Sequence, residues 1–91
     1  MIMESKYDLV VTGNKNSLNA LQTRAVLMRK GLMPTTLITT QVIRSKDKST
    51  LFVRIEDEYS KAWEFRDFIN ITYPNLRVMI VQVTKREKND K

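Results

Sequence analysis

The sequence contains neither cysteine nor histidine. Without cysteine there are no disulfides and no thiol nucleophile, a composition that fits a reducing, cytoplasmic setting. Together the two absences remove the common tetrahedral zinc sites and imidazole acid–base chemistry, which excludes Ser-His-Asp and Cys-His mechanisms. Glycine and proline occur only twice each in 91 residues, too few for a long linker or a low-complexity body. No apolar run approaches the roughly 20 residues of a membrane span. The opening MIMESKYD has neither a basic n-region nor an apolar h-region, so no secretory signal is expected.

A chain of this length builds one domain around one core. The domain is expected to occupy residues 1–91, with 1–5 and 85–91 as flexible termini. The net charge of +6 often accompanies a polyanionic partner, but it is unevenly spread. Residues 56–67 carry Glu56, Asp57, Glu58, Glu64 and Asp67 against Lys61 and Arg66, and that local −3 leaves +9 on the rest of the chain.

Tyr7–Thr12 reads as a first strand, with Tyr7, Leu9 and Val11 on one face and Asp8, Val10 and Thr12 on the other. Gly13-Asn14-Lys15-Asn16-Ser17 breaks it and offers Asn16 or Ser17 as a helix N-cap. It lacks the spacing and second glycine of a phosphate loop. A first helix is predicted over Ser17–Lys30, with Leu18, Leu21, Ala25 and Leu32 as its apolar stripe, widened by Val26 and Leu27. Gly31 suits the left-handed position after the helix, with Leu32 as the apolar contact that follows it, and Pro34 stops it.

Met33–Asp57 then reads as a hairpin whose tip, Ser45–Ser49, has no apolar residue. Its first arm, Thr36–Arg44, alternates ambiguously, and either face suits burial. Its second arm is clearer, with Leu51, Val53 and Ile55 inward and Phe52, Arg54 and Glu56 outward. A second helix is predicted over Glu58–Asn70 with Asp57 as N-cap and an inward stripe of Ala62, Phe65 and Ile69. Tyr73-Pro74-Asn75 turns the chain into a last strand, Leu76–Thr84, which is apolar on both faces.

The resulting order, β-α-β-β-α-β, predicts an α+β fold, a ferredoxin-like two-layer sandwich. Its four-stranded antiparallel sheet carries two helices on one face. Strands one and three are then central and strands two and four are edges. A doubly apolar edge strand implies a cover, so homodimerisation through strand four or the open sheet face is also expected.

Chemistry-bearing residues are sparse. The acids near residues 56–67 are neighbours in sequence and suit a helix start better than a metal site, which needs carboxylates converging from separate elements. The small CRISPR-associated nucleases share this size and topology, but they carry an acid at the end of strand one, where this chain has Thr12-Gly13. No enzyme, metal or cofactor is expected.

The basic residues Arg44, Lys46 and Lys48 of the hairpin, Phe52 and Arg54 on the open face, and Lys85 and Arg86 of the tail suggest a nucleic-acid surface. The stretch Lys48–Ile55 loosely resembles the third-strand motif of RNA-recognition-type domains. Lys48, Phe52 and Val53 match it, while Ser49 stands at its glycine position and Thr50 at its first aromatic position. Leu9–Asn14 resembles the first-strand motif more weakly, with Val10 where a ring is expected. The resemblance implies single-stranded RNA or DNA stacked on Phe52. The alternative is an adaptor or inhibitor that docks on a larger host protein through Trp63 and Phe68 of the second helix or through strand four. Its size and lack of a catalytic constellation suit an accessory factor of a phage or mobile element.

Overall fold

A computed structural model describes residues 6–33 and 37–83. Six elements follow one another: β1 (Lys6–Gly13), α1 (Lys15–Arg29), β2 (Gln41–Arg44), β3 (Thr50–Ile55), α2 (Tyr59–Thr72) and β4 (Leu76–Val83). They form an α+β fold with one antiparallel sheet in the order β2-β3-β1-β4. The expected centre and edges are therefore observed. The flexible-terminus expectation for 1–5 and 85–91, the stop at Pro34, and the tail cations Lys85 and Arg86 fall outside the described residues.

One core lies between sheet and helices. Leu9, Val11, Leu51 and Val53 face it from the central strands, and Leu18, Leu21, Ala25, Ala62, Phe65 and Ile69 face it from the helices. The period-two pattern of β3 and the period-3.6 pattern of α2 both converge on this layer. Helix α1 lies against β1, β2 and β3, and α2 against β4 and β1, so both helices occupy one face.

Several local expectations are corrected. Helix α1 begins earlier than predicted, because Asn14 is its cap and the Asn14 Oδ1 accepts from the Ser17 amide at 3.1 Å. The cap is set three residues before the amide it satisfies, and neither Asn16 nor Ser17 fills it. At the other end Gly31 takes φ 72°, with the Leu32 amide donating to the Leu27 carbonyl at 2.9 Å and Gly31 to Met28 at 3.0 Å. That is the predicted left-handed stop, a Schellman arrangement. Its Leu32 side chain, however, is 66% exposed, and Met28 fills the inward position instead. In helix α2 the N-cap position falls to Glu58, whose side chain makes no capping bond, rather than to Asp57, whose Oδ1 accepts from the adjacent Glu58 amide at 2.7 Å, and the helix runs on to Thr72.

The first hairpin arm is the largest departure. Its pairing covers only Gln41–Arg44, and Thr36 lies outside the described residues. Thr39 is buried, with Oγ1 donating to the Ala25 carbonyl of α1 at 2.8 Å. Val42 also packs on the core while Ile43 is exposed. Two inward residues three apart mean the alternation loses phase at the bend around Thr40. A strict period of two has no way to express that.

Candidate functional site

The register of the sheet determines which side chains share its helix-free face. Cross-strand pairing aligns Met79 with Val10, Val10 with Phe52, and Phe52 with Ile43. An apolar row therefore crosses all four strands. Ile43 is 49% exposed and Met79 61%, with Val10 and Phe52 half-buried between them. The next row aligns Val81, Asp8, Arg54 and Gln41, and the row on the other side aligns Arg77, Thr12 and Thr50. Val81 is also exposed, which widens the apolar band at the β4 edge. Strand β4 thus buries Leu76 and half-buries Val78 and Ile80 on the helix side while presenting Met79 and Val81 on the other.

Arg54 does not stand free on this face. Its Nε donates to Asp8 Oδ1 at 2.8 Å and its Nη2 to Asp8 Oδ2 at 3.0 Å, a two-pronged pair between β1 and β3. The hydrogen bonding to Asp8 raises the Arg54 pKa, against a smaller opposing effect of burial, and the charges of Asp8 and Glu56 add to it. The guanidinium is therefore firmly charged and already neutralised locally.

Arg44 faces the other way. It pairs with Leu51 across the hairpin, and Leu51 is inward, so the Arg44 side chain lies on the helix side. There its Nη1 donates to Asn19 Oδ1 and Gln22 Oε1 of α1, each at 2.8 Å, and its Nε and Nη2 donate to the Lys48 carbonyl at 3.0 and 2.8 Å. The sequence placed Arg44 among phosphate-binding cations. Its bonding makes it a clamp between the hairpin and α1.

The hairpin tip is tied rather than loose. Asp47 Oδ1 accepts from the hydroxyls of Ser45 and Ser49 at 2.8 and 2.7 Å and from the Ser49 amide at 3.0 Å. The Lys48 amide donates to the Ser45 carbonyl at 3.0 Å with Lys48 at φ 67°. The Ser49 hydroxyl and amide and the Ser45 hydroxyl hold the Asp47 pKa down from 3.8 to about 2. Lys46 and Lys48 are exposed at this tip. Because the folded pKa is lowered, the stabilisation is complete above 3.8 and disappears as pH falls through about 2. The Ser49 amide resonance should therefore titrate with a midpoint near 2. A midpoint at 3.8 would mean that the carboxylate does not hold the tip in solution.

The two aromatic residues nominated on α2 are not brought together. Phe68 meets Phe65 ring to ring at 5.9 Å and lies under the Arg24 guanidinium of α1, also 5.9 Å away, so it belongs to the helix–helix seam. Trp63 is 40% exposed, packs edge-on against Tyr59 at 6.0 Å and carries Arg66 over its ring at 4.8 Å. Tyr59 in turn meets Tyr7 at 5.3 Å, and these two tyrosines line a groove with Ile80 and Gln82. No family model, curated protein or solved structure matches the chain.

Among the described residues, no group of three or more acidic or other metal-ligating side chains could hold an ion, and no helix is long and apolar enough to cross a membrane. Sequence reasoning missed Ile43 and the neutralising role of Asp8. Both depend on register between strands, and Asp8 and Arg54 are 46 positions apart. The alternation of β3 placed Phe52 and Arg54 on the open face, but their alignment with Val10 and Asp8 follows only from the register between β3 and β1.

Proposed function

We propose that this chain is a non-enzymatic protein-binding module that works through the open face of its sheet. The observation that carries the reading is the Met79–Val10–Phe52–Ile43 row, which spans the sheet and has no covering element among the described residues. A contiguous apolar band of this kind favours a partner that also brings apolar surface. The ferredoxin-like arrangement is part of the proposal. It is supported by the order β2-β3-β1-β4, in which each strand-helix-strand unit is split by one intervening strand.

The competing reading is single-stranded nucleic acid stacked on Phe52. Fewer groups serve it than the sequence suggested, because Arg44 is clamped to α1 and Arg54 is paired with Asp8. Lys46 and Lys48 remain, but they sit at the hairpin tip. Phe52 has aliphatic rather than aromatic neighbours on both sides, where a strand-binding sheet stacks bases on several rings.

Capture by the tagged chain from its native cell, with and without nuclease, separates the two. A retained protein partner should survive nuclease and be lost on Met79→Glu, which places a charge at an exposed position of the row. Capture that disappears with nuclease overturns the proposal. So does a low-salt RNA or DNA gel shift abolished by Lys46→Ala and Lys48→Ala.

A further inference from the structure

The open face has a charge pattern as well as an apolar row, and the pattern suggests what covers it. Beside the row, Asp8 and Arg54 lie next to each other on the two central strands. Lys6 continues the same face of β1, and Glu56 lies close enough to Arg54 to raise its pKa. This end of the face thus has two cations and two anions in alternation, unlike a surface meant for a polyanion. It is complementary to itself.

We propose that the open face is covered by a second copy of this chain, packed face to face about a two-fold axis that runs parallel to the strands between β1 and β3. The proposal rests on the reading of this face as a protein-binding surface and names its partner. A two-fold interface places the same patch on both sides, so each residue must suit its symmetry mate. An axis along the strands exchanges β1 with β3 and β4 with β2 while keeping each row opposite itself. Val10 then meets Phe52 of the second copy and Met79 meets Ile43, so the apolar row closes on itself. In the neighbouring row Asp8 meets Arg54 of the second copy, and Arg54 meets Asp8. The existing fork uses Nε and Nη2 of Arg54, leaving Nη1 for the other carboxylate, and the two pairs become a ring of alternating charge. An axis across the strands would instead set Asp8 against Thr12 and Arg54 against Thr50.

The size of the face agrees with a reversible dimer. Four strands about 4.8 Å apart and some seven residues at about 3.4 Å each give roughly 450 Å² of flat area per copy. Two such faces bury on the order of 1,000 Å², the low end of specific interfaces, which suits micromolar association. Aligned sheets pack about 10 Å apart with strand directions within about 30°, a geometry that keeps matching rows together near the axis. The C-terminal residues 84–91, TKREKNDK, offer no apolar side chain with which to cover the row.

Sedimentation of the full chain across a concentration series tests the proposal. The wild type should shift from one-chain to two-chain mass in the micromolar range. Asp8→Arg and Arg54→Asp should each weaken this about 100-fold, because like charges then face each other across the axis. Mixed in equal amounts, the two variants should recover a heterodimer near wild-type affinity, since one face is then all positive where the other is all negative. Circular dichroism confirms that each variant is folded. If loss of the internal pair unfolds one, Ile43→Glu provides the second probe, being exposed and on the strand furthest from the β4 edge. A one-chain mass at millimolar wild type overturns the proposal. So does a dimer that persists in Ile43→Glu, which would be joined elsewhere, as along β4. Charge variants that fail to recover when mixed overturn the axis and with it the proposal. A one-chain mass together with nuclease-resistant, Met79-dependent capture of a different protein removes the second copy and leaves the proposed function standing. Nuclease-sensitive capture removes that function itself.

Discussion

Phe65→Ala should lower the stability of the fold by about 3–5 kcal/mol, the usual cost of emptying a fully buried phenylalanine site. Phe65 is the largest of the fully buried side chains, with no measurable exposure, and stands between Ala62 and Ile69 on the inward stripe of α2. Its ring meets that of Phe68 at 5.9 Å, so truncation also removes an aromatic contact and leaves a void that a helix anchored on both sides closes poorly. A domain of this size has roughly 5–14 kcal/mol of stability in all. The change should therefore lower the melting temperature by tens of degrees, at about 4–8 °C per kcal/mol. Trp63→Ala is the control. The larger ring is 40% exposed, and its contacts with Tyr59 and Arg66 lie at the surface. Its loss should cost about 1 kcal/mol. Thermal melts of the two variants decide the matter: a Trp63→Ala cost equal to or above that of Phe65→Ala would mean that α2 is rotated about its axis.

That same helix shows why parts of the molecule were readable from residues alone. Ala62, Phe65 and Ile69 recur at helical spacing and are all buried, and Leu51, Val53 and Ile55 alternate at strand spacing and are buried too. Where a single period governs burial, sequence is enough. The first hairpin arm breaks that condition. Thr39 and Val42 both turn inward, because Thr39 hydrogen-bonds the α1 backbone before the chain bends into β2. The side on which Arg44 lies follows from that slip, which is why its clamp on Asn19 and Gln22 was read as a free cation. Arg54 was placed on its correct face, yet its charge was overestimated as a resource for phosphates. Its partner Asp8 reaches it only through the β1–β3 register, a fact that no local pattern contains. Helix starts were misplaced for a gentler reason. Asn14, Asn16 and Ser17 all have suitable oxygens, and so do Asp57 and Glu58, so the choice depends on backbone geometry rather than residue type.

Gly13→Ala should cost about 2–3 kcal/mol, although it adds a single methyl at an exposed position. Gly13 ends β1 at φ 137°, a conformation that side chains rarely adopt. A Cβ there would lie 2.7 Å from the Asn75 carbonyl oxygen and 3.2 Å from Leu76 Cα. Both are backbone atoms of the turn that launches β4, so no side-chain rotation relieves the contact. Gly31 provides the comparison. It has φ 72° with nothing within 4 Å of the added methyl, so Gly31→Ala should cost only about 1 kcal/mol for the left-handed backbone. Urea denaturation of the two variants separates backbone strain from collision, and equal costs would remove the collision from the account. The difference has a consequence for the open face. Gly13 pairs with Leu76 at the seam where β1 meets β4, and from there the register runs to Val10 and Met79. A displacement of one residue at that seam would turn Met79 and Val81 toward the helices and Val78 and Ile80 outward. A folded Gly13→Ala protein should therefore keep Met79 opposite Val10 and absorb the strain in the Tyr73–Leu76 turn, since taking Leu76, Val78 and Ile80 out of the core and turning Arg77 inward would cost more than repacking the turn. Cross-strand nuclear Overhauser contacts between Val10 and Met79 read this directly, and their loss would show that the glycine sets the register as well as the fit.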